Sequence, residues 1–238
     1  MAEAKGSDHG LCSSLYRPLP DSDVGKVADA AFRVLEKSGM MVYSETARGA
    51  FKRAGAVVDE GRGLVKLPRG LVEDAIASNP SSITLHSRDG RCDCVLEGNR
   101  VHYGTGGTAI YVLDPDTGER RPSTIRDVIL NARIVNELAN VHVFTINVFP
   151  NDVKEPKQVD ANRFFHAFDN TTKHVMGGVY AMQGCRDVVA MSEAIAGGAE
   201  QLSSKPFVSF ITLIISPFKI DPNYGDMTCY LAGKGLPV

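Results

Sequence analysis

The side chains of this 238-residue chain that could do chemistry are Asn147, Phe149, Asp152, Tyr180, Ser216 and Phe218, with Tyr111 further upstream. They fall within or just after four stretches, 104–107, 147–150, 177–180 and 215–218, that close apolar, β-rich runs. Phe149, Tyr180 and Phe218 offer aromatic faces and Asp152 a carboxylate, a combination that attracts cations without needing a proton from them. Asn147 can hold a carboxylate or a water through its amide. Each has a structural alternative: Phe149 and Phe218 cover strand mouths, and Asp152 caps the following helix. No acid and base stand in a fixed register, so no catalytic residue is assigned.

Other chemistries lack their residues. Gly104-Thr105-Gly106-Gly107 does not have the G-x-G-x-x-G spacing, and no helix opens behind it. P-loop and H-E-x-x-H patterns are missing, and His166 and His174 belong to different predicted elements, so no metal site is expected. Cysteines occupy positions 12, 92, 94, 185 and 229; with no secretory signal, the odd count implies thiols in a reducing, cytoplasmic compartment. Cys92-Asp93-Cys94 reads as two ordinary strand residues more readily than as a metal or redox pair. A net charge of −2 without a long basic run excludes a general nucleic-acid footprint. No apolar run approaches the ~20 residues of a membrane span.

The elements that must position these residues follow from periodicity. Residues 1–20 read as a frayed tail. Residues 21–100 form an α+β region: a helix over 23–37, a short helix capped by Ser44, a hairpin of Val57–Asp59 with Leu64–Leu67, a helix over 69–78, and strands around 83–103. From residue 101 the pattern alternates strand and helix. Thr124 and Asp127 form a capping-box-like pair opening a helix whose apolar stripe is Ile125, Val128, Ile129, Ala132, Val135, Leu138 and Ala139. That helix feeds the strand VHVFTIN. A helix over 157–169 carrying Val159, Phe164, Phe165 and Phe168, a strand from His174, a helix from Cys185, a long strand to Ser216 and a helix over 223–232 follow. Four β/α units of roughly 35 residues, with a fifth strand starting near Gly235, imply the first half of a (β/α)8 TIM barrel over residues 101–238. An open doubly wound sheet of four strands is the alternative. Half a barrel leaves an open edge that invites self-assembly into a homo-oligomer.

The turn YVLDPDTGERRPSTIRDV (Tyr111–Val128), the pair Lys173-His174, the segment SPFKIDPN and the upstream GAVVDEGRGLVKLPRGLVEDAIASNP resemble the trimethylamine methyltransferase (MttB) family. The resemblance runs from about residue 23 to 238 and covers the N-terminal half of a member. It implies a methyltransferase that takes a methyl group from trimethylamine, glycine betaine or a similar amine and passes it to the Co(I) corrinoid (cobalamin) of a partner corrinoid protein. No tightly bound cofactor is implied. Asn147, Phe149, Asp152, Tyr180, Ser216 and Phe218 are then expected at the substrate, and Gly106, Gly107 and Tyr111 toward the corrinoid. Arg120, Arg121 and Asp127 are expected to fix the first loop or to meet the corrinoid protein, and Lys173 and His174 to be structural. Two other readings stand beside this one. One is a non-catalytic half-barrel scaffold that binds another polypeptide. The other is a different (β/α) enzyme acting on a phosphorylated metabolite, disfavoured because no strand end carries a phosphate-cradling turn.

Overall fold

A computed structural model describes residues 11–12 and 16–238; the rest of the tail expected over residues 1–20 lies outside the described residues. In chain order the elements are β1 (Leu11–Cys12), α1 (Asp21–Arg33) extended by a π-turn at Val34–Ser38, β2 (Met40–Val42), α2 (Glu45–Arg53), β3 (Val57–Asp59), β4 (Leu64–Lys66), α3 (Arg69–Ala77), β5 (Ser82–Leu85), β6 (Cys94–Glu97) and β7 (Arg100–Val101). They continue with β8 (Tyr111–Leu113), β9 (Arg120–Pro122), α4 (Ile125–Glu137), β10 (Val143–Thr145), a 3-10 turn at Pro156–Gln158, α5 (Val159–Asn170), β11 (His174–Gly178), α6 (Met182–Ala196), α7 (Ala199–Ser204), β12 (Val208–Ile211), β13 (Lys219–Ile220) and α8 (Pro222–Gly233). The fold is mixed α/β, with parallel and antiparallel pairing, and divides into two compact units.

The smaller unit joins residues 16–81 to Thr212–Gly233. Its sheet has the order β13-β2-β4-β3, in which β13 lies parallel to β2 and the remaining pairs are antiparallel. Met40, Val42, Ala47, Ala56 and Val65 form its core. Ser44 caps α2 by accepting from the Ala47 amide at 2.9 Å, and its hydroxyl donates to Asp226 Oδ1 at 2.6 Å. Gly225 on α8 is needed there because a Cβ would stand 2.5 Å from that of Ser44.

The larger unit is built on a parallel sheet in sequence order, β10-β11-β12, with Val143 opposite His174 and Val175 opposite Val208. Parallel bridges from Gly104 to Val143 and from Ala109 to Val148 bring the preceding segment to the free edge of β10. The strands are apolar on both faces, as a sheet covered by crossover helices requires. Phe164 and Phe168 of α5 pack against Phe210 and Phe207 with ring centroids 5.9 and 5.4 Å apart. Burying rings of this size contributes about 2–3 kcal/mol each.

Three local features differ from the periodicity. Arg120–Pro122 pairs with Tyr111–Leu113 as an antiparallel hairpin instead of serving only as a helix lead-in. The helix expected from Cys185 to Gly198 starts earlier, at Met182, and ends as expected at Gly197 and Gly198, both at positive φ, but a further short helix, α7, follows it. The strand expected to reach Ser216 ends at Ile211, and the exposed residues Leu213, Ile214 and Ile215 lead to a turn closed by the Ile215–Lys219 bridge. In addition, β6 begins at Cys94, so Cys92 sits in the preceding turn, where its amide donates to Ser87 Oγ at 3.1 Å.

The N-terminal ends of the parallel strands are locked by Lys173 and His174. The Lys173 ammonium is buried and donates to the carbonyls of Val135, Leu138 and Val141 at 2.6, 2.6 and 2.7 Å, closing the C-terminal end of α4. His174 Nδ1 meets the His86 carbonyl at 3.0 Å and Nε2 meets Ser209 Oγ at 2.9 Å. Burial holds the imidazole's pKa down at about 4. Because this folded value lies below the unfolded one near 6.5, the neutral ring's contribution is complete above pH 6.5 and is lost as pH falls toward 4. At ~1.4 kcal/mol per unit the loss amounts to about 3 kcal/mol. Urea midpoints at pH 7 and pH 4.5 are therefore expected to differ strongly in the native protein and much less in His174→Gln; equal pH sensitivity of the two proteins contradicts the assignment.

Candidate functional site

In parallel α/β sheets, ligands collect outside the carboxyl ends of the strands. At those ends β10 continues through Ile146 and Asn147 to Phe149, and β11 through Val179 to Tyr180. The rings of Phe149 and Tyr180 meet edge-on, with centroids 5.7 Å apart and planes 62° apart. Tyr180 is 43% exposed, so part of this residue remains open to solvent.

Behind Tyr180 lies a charged pair that periodicity did not single out. Arg163 of α5 is completely buried, and its guanidinium carbon stands 5.2 Å from the Tyr180 ring centroid. Its terminal nitrogens donate to the carbonyls of Gly178 at 3.3 Å and Ile146 at 3.4 Å, the last turns of β11 and β10. Asp160, one helical turn earlier, approaches Arg163 Nη1 only to 4.0 Å. Its other oxygen accepts from the Tyr180 amide at 2.9 Å, ahead of the first turn of α6. Burial raises the Asp160 carboxyl's pKa, opposed by the Tyr180 and Ala181 amides and by Arg163. Arg163 Nε and Asp160 Oδ1 have no hydrogen-bond partner. The sequence signal was available: Asp160 and Arg163 lie on the apolar face of α5 with Phe164 and Ala167, whereas Phe165, expected on that face, is 52% exposed.

The other candidates fall into separate places. Asn147 is half-buried, and its Oδ1 accepts from Asn131 Nδ2 at 3.1 Å. Asp152 is a cap, of the preceding helix and not the following one: its Oδ1 accepts from the Ile125 amide at 3.0 Å. Ser216 and Phe218 belong to the smaller unit, in the turn before β13, with Phe218 at φ 48° and half-exposed. Gly106 and Gly107 are exposed, and a Cβ at either would meet nothing within 4 Å. Tyr111 has one face covered by the Arg120 guanidinium at 3.7 Å.

The β8–β9 hairpin is tied to α4 by charge. Arg121 donates to both oxygens of Asp127 at 2.9 Å and to Asp114 Oδ2 at 2.9 Å. Asp127 also closes a capping box with Thr124. The Arg121 contact, with the Thr124 bonds, holds the Asp127 carboxyl down at about 2. Arg121 and Asp127 are thus occupied internally, which fixes the loop. A cavity of about 650 Å³ in this unit lies among residues such as His86, Asp93, Lys205 and Phe207 that precede β12 or follow β5, away from the strands' carboxyl ends. Among the described residues no cluster of His, Cys, Asp and Glu could hold a metal ion, and no helix is long and apolar enough to cross a membrane.

The sequence of residues 10–238 matches the family model described as trimethylamine methyltransferase (MTTB). The chain belongs to that family. It is 33% identical over 218 residues to trimethylamine methyltransferase MttB of Desulfitobacterium hafniense (strain DSM 10664 / DCB-2), covering 92% of this chain and 44% of that protein. It is 27% identical over 209 residues to glycine betaine methyltransferase of Desulfitobacterium hafniense (strain Y51), covering 87% and 42%. Trimethylamine methyltransferase MttB of Methanosarcina thermophila is 28% identical over 213 residues, covering 88% and 44%. The chain spans less than half the length of these curated relatives.

In this MTTB-family chain the Asp160 carboxylate fits beside α6 only because residue 184 is glycine. A Cβ there would fall on Asp160 Oδ2 and stand 2.8 Å from the Asp160 Cβ. Glycine-to-alanine within a helix normally stabilises by up to ~1 kcal/mol. That is the expectation for Gly25→Ala in α1, where the new methyl group meets nothing within 4 Å. Gly184→Ala is expected to do the opposite, lowering stability by about 1–3 kcal/mol in chemical denaturation; a gain at both positions contradicts the packing described.

The capping box permits a second check. Asp127→Ala removes the carboxylate shared by Thr124 and Arg121 and is expected to cost about 2 kcal/mol, the upper range for a lost cap. A loss under ~0.5 kcal/mol in urea unfolding would mean that the hairpin does not depend on it.

Proposed function

We propose that this chain is the N-terminal half of a (β/α)8-barrel methyltransferase that moves a methyl group from a methylated amine to the corrinoid of a partner protein. Family membership supports the reaction class, and the Phe149–Tyr180 corner is the observation that carries the site. A quaternary ammonium has no N–H to donate, and a trimethylammonium only one, so recognition of such a group rests mainly on aromatic faces and nearby charge. The corner offers a pair of aromatic rings, that of Tyr180 on a partly exposed residue, at the carboxyl ends of two adjacent parallel strands. The barrel reading is supported by the strictly sequential order β10-β11-β12, by the Gly104–Val143 bridge before it, and by the Phe210 amide donating to the Pro237 carbonyl at 3.0 Å after it.

The corrinoid supplies the nucleophile for such a transfer, which leaves the protein to bind, orient and desolvate the amine. Phe149 and Tyr180 would grip the methyl groups, and Asn147 would present its amide NH2 to a carboxylate or water. Gly106 and Gly107 fit a surface for a flat macrocycle, since they leave open space above the backbone and would present no side chain to it. Tyr111, clamped by Arg120, would border that surface. Neither Ser216 nor Phe218 is needed for this grip.

The test is transfer to free cob(I)alamin by the full-length protein containing this segment, followed by loss of the cob(I)alamin absorbance. Trimethylamine and glycine betaine are the first substrates to offer. Tyr180→Ala is expected to lower kcat/KM about tenfold, mostly through KM, in line with a cation–π contribution of ~1–2 kcal/mol. Absence of turnover with any methylated amine would defeat the proposal.

A further inference from the structure

We propose that the cavity at the N-terminal side of the β10-β11-β12 sheet is a second ligand site, which takes a small organic molecule with an oxyanionic head of the phosphate monoester class. The proposal assigns binding and not a reaction, and it stands whether or not the aromatic corner holds an amine. One wall is the loop between β5 and β6, with His86, Arg88 and Asp93; the other is the end of α6, α7 and the approach to β12, with Ile195, Lys205 and Phe207. A volume of about 650 Å³ lies within the range of pockets for small organic ligands.

The sign of the ligand follows from which polar groups are already engaged. Asp93 Oδ1 accepts from the Ser87 amide at 2.8 Å and the Ser87 hydroxyl at 2.9 Å, and its Oδ2 meets His86 Nδ1 at 2.9 Å. Asp89 accepts from the Arg91 amide at 3.0 Å and the Thr172 hydroxyl at 2.9 Å. The carboxylates of the loop are thus committed, and among the described residues no cluster could hold a metal ion. The unengaged groups are mostly donors. Lys205 has no hydrogen bond or ion pair among the described residues. Arg88 gives Nη2 to the Phe168 and Thr171 carbonyls, which leaves Nε and Nη1 without partners among the described residues. Two cations beside committed carboxylates call for an anion.

His86 narrows the head group. Its side chain is 23% exposed, and Nε2 is the ring nitrogen without a partner among the described residues. With Nδ1 turned to a carboxylate, Nδ1 carries the ring hydrogen and Nε2 the lone pair. Nε2 then accepts from an O–H on the head, or takes that proton and donates back. A phosphate monoester, with a second pKa of about 6, carries such a proton in part near neutral pH, whereas a carboxylate does not. The head fills only part of the cavity, and Ile195 with the buried Phe207 offers the organic remainder an apolar wall.

The experiment is calorimetric titration of the full-length protein containing this segment, at neutral pH and fixed ionic strength, with inorganic phosphate, glycerol 2-phosphate and acetate. Both phosphates are expected to bind, the ester more tightly, and acetate more weakly than either. Lys205→Gln changes an exposed side chain that holds nothing else in place, so the variant folds. It is expected to weaken both phosphates by about three- to tenfold, the worth of one charge-assisted hydrogen bond, and Lys205→Arg to restore most of the loss. His86→Gln is expected to weaken the phosphates by a similar factor and to narrow their advantage over acetate. Lys37→Gln, on an exposed lysine of the smaller unit, is the control and is expected to change nothing. Failure of the native protein to bind any of the three probes overturns the proposal. So does binding that is unchanged in both Lys205→Gln and His86→Gln, or that falls equally in Lys37→Gln. Acetate binding as tightly as phosphate overturns the assignment of the head group.

Discussion

The larger unit depends on burying one guanidinium whole. Taking an arginine out of water costs several kcal/mol unless its donors find acceptors and its charge a partner. Arg163 has few acceptors within reach: the carbonyls where β10 and β11 end, and the Asp160 carboxylate one turn back on its own helix. Meeting them sets the height of α5 against the sheet and brings the two strand ends to a common level. It also sends Asp160 toward the Tyr180 amide, and Asp160 fits there only because Gly184 has no side chain. The orientation of Tyr180 toward Phe149 follows from that arrangement. The aromatic corner is thus a product of charge burial as much as of aromatic packing.

The two ends of the parallel strands solve the polar-burial problem differently. At the N-terminal end the Lys173 ammonium meets three carbonyls, and both nitrogens of His174 are engaged. At the carboxyl end Arg163 Nε and Asp160 Oδ1 are left without hydrogen bonds. Fully satisfied networks rigidify, whereas buried polar atoms without partners sit in native proteins where something other than stability is served. Helix α4 extends the contrast, since its first amides are held by Asp127 and Asp152 and its last carbonyls by Lys173, with charge signs that suit the helix dipole at both ends. The scaffold is anchored by residues distant in sequence.

Much of the scaffold was legible in the chain because it rests on local signals. The capping box at Thr124 and Asp127, the small hairpin around residues 57–66 and the alternation of strand and helix after residue 101 all rest on spacing that short-range physics enforces. The β9 strand escaped because three residues ending in proline carry no period, and it forms only through pairing with Tyr111–Leu113. The long apolar run after Phe207 looked like one strand to Ser216; hydrophobicity cannot say where a strand leaves a sheet, and Leu213 to Ile215 end up exposed. At the carboxyl ends of the strands, Phe149 and Tyr180 were singled out from their positions, and their rings do meet there. Arg163 and Asp160 were not, because charge on an apolar helix face is visible in sequence only as an exception, and what resolves the exception lies on other elements.

The segment DPDTGERRPST, which carried the resemblance read from the sequence, and the segments that form the corner are therefore physically different kinds of sequence. In the first, Asp114, Arg121 and Thr124 are held by one another or by Asp127 just beyond it, so these residue types are dictated by specific partners at specific distances. That is why the segment reads as a motif. The corner needs only an aromatic face, an arginine and a carboxylate in a given geometry, and those residue types occur everywhere in proteins. Aromatic attraction for methylated ammonium groups is itself generic, worth a similar amount for trimethylammonium compounds of many shapes. In this chain the ring of Tyr180 is backed by the buried Arg163–Asp160 ion pair, and that pair fits only because Gly184, on a third element, has no side chain.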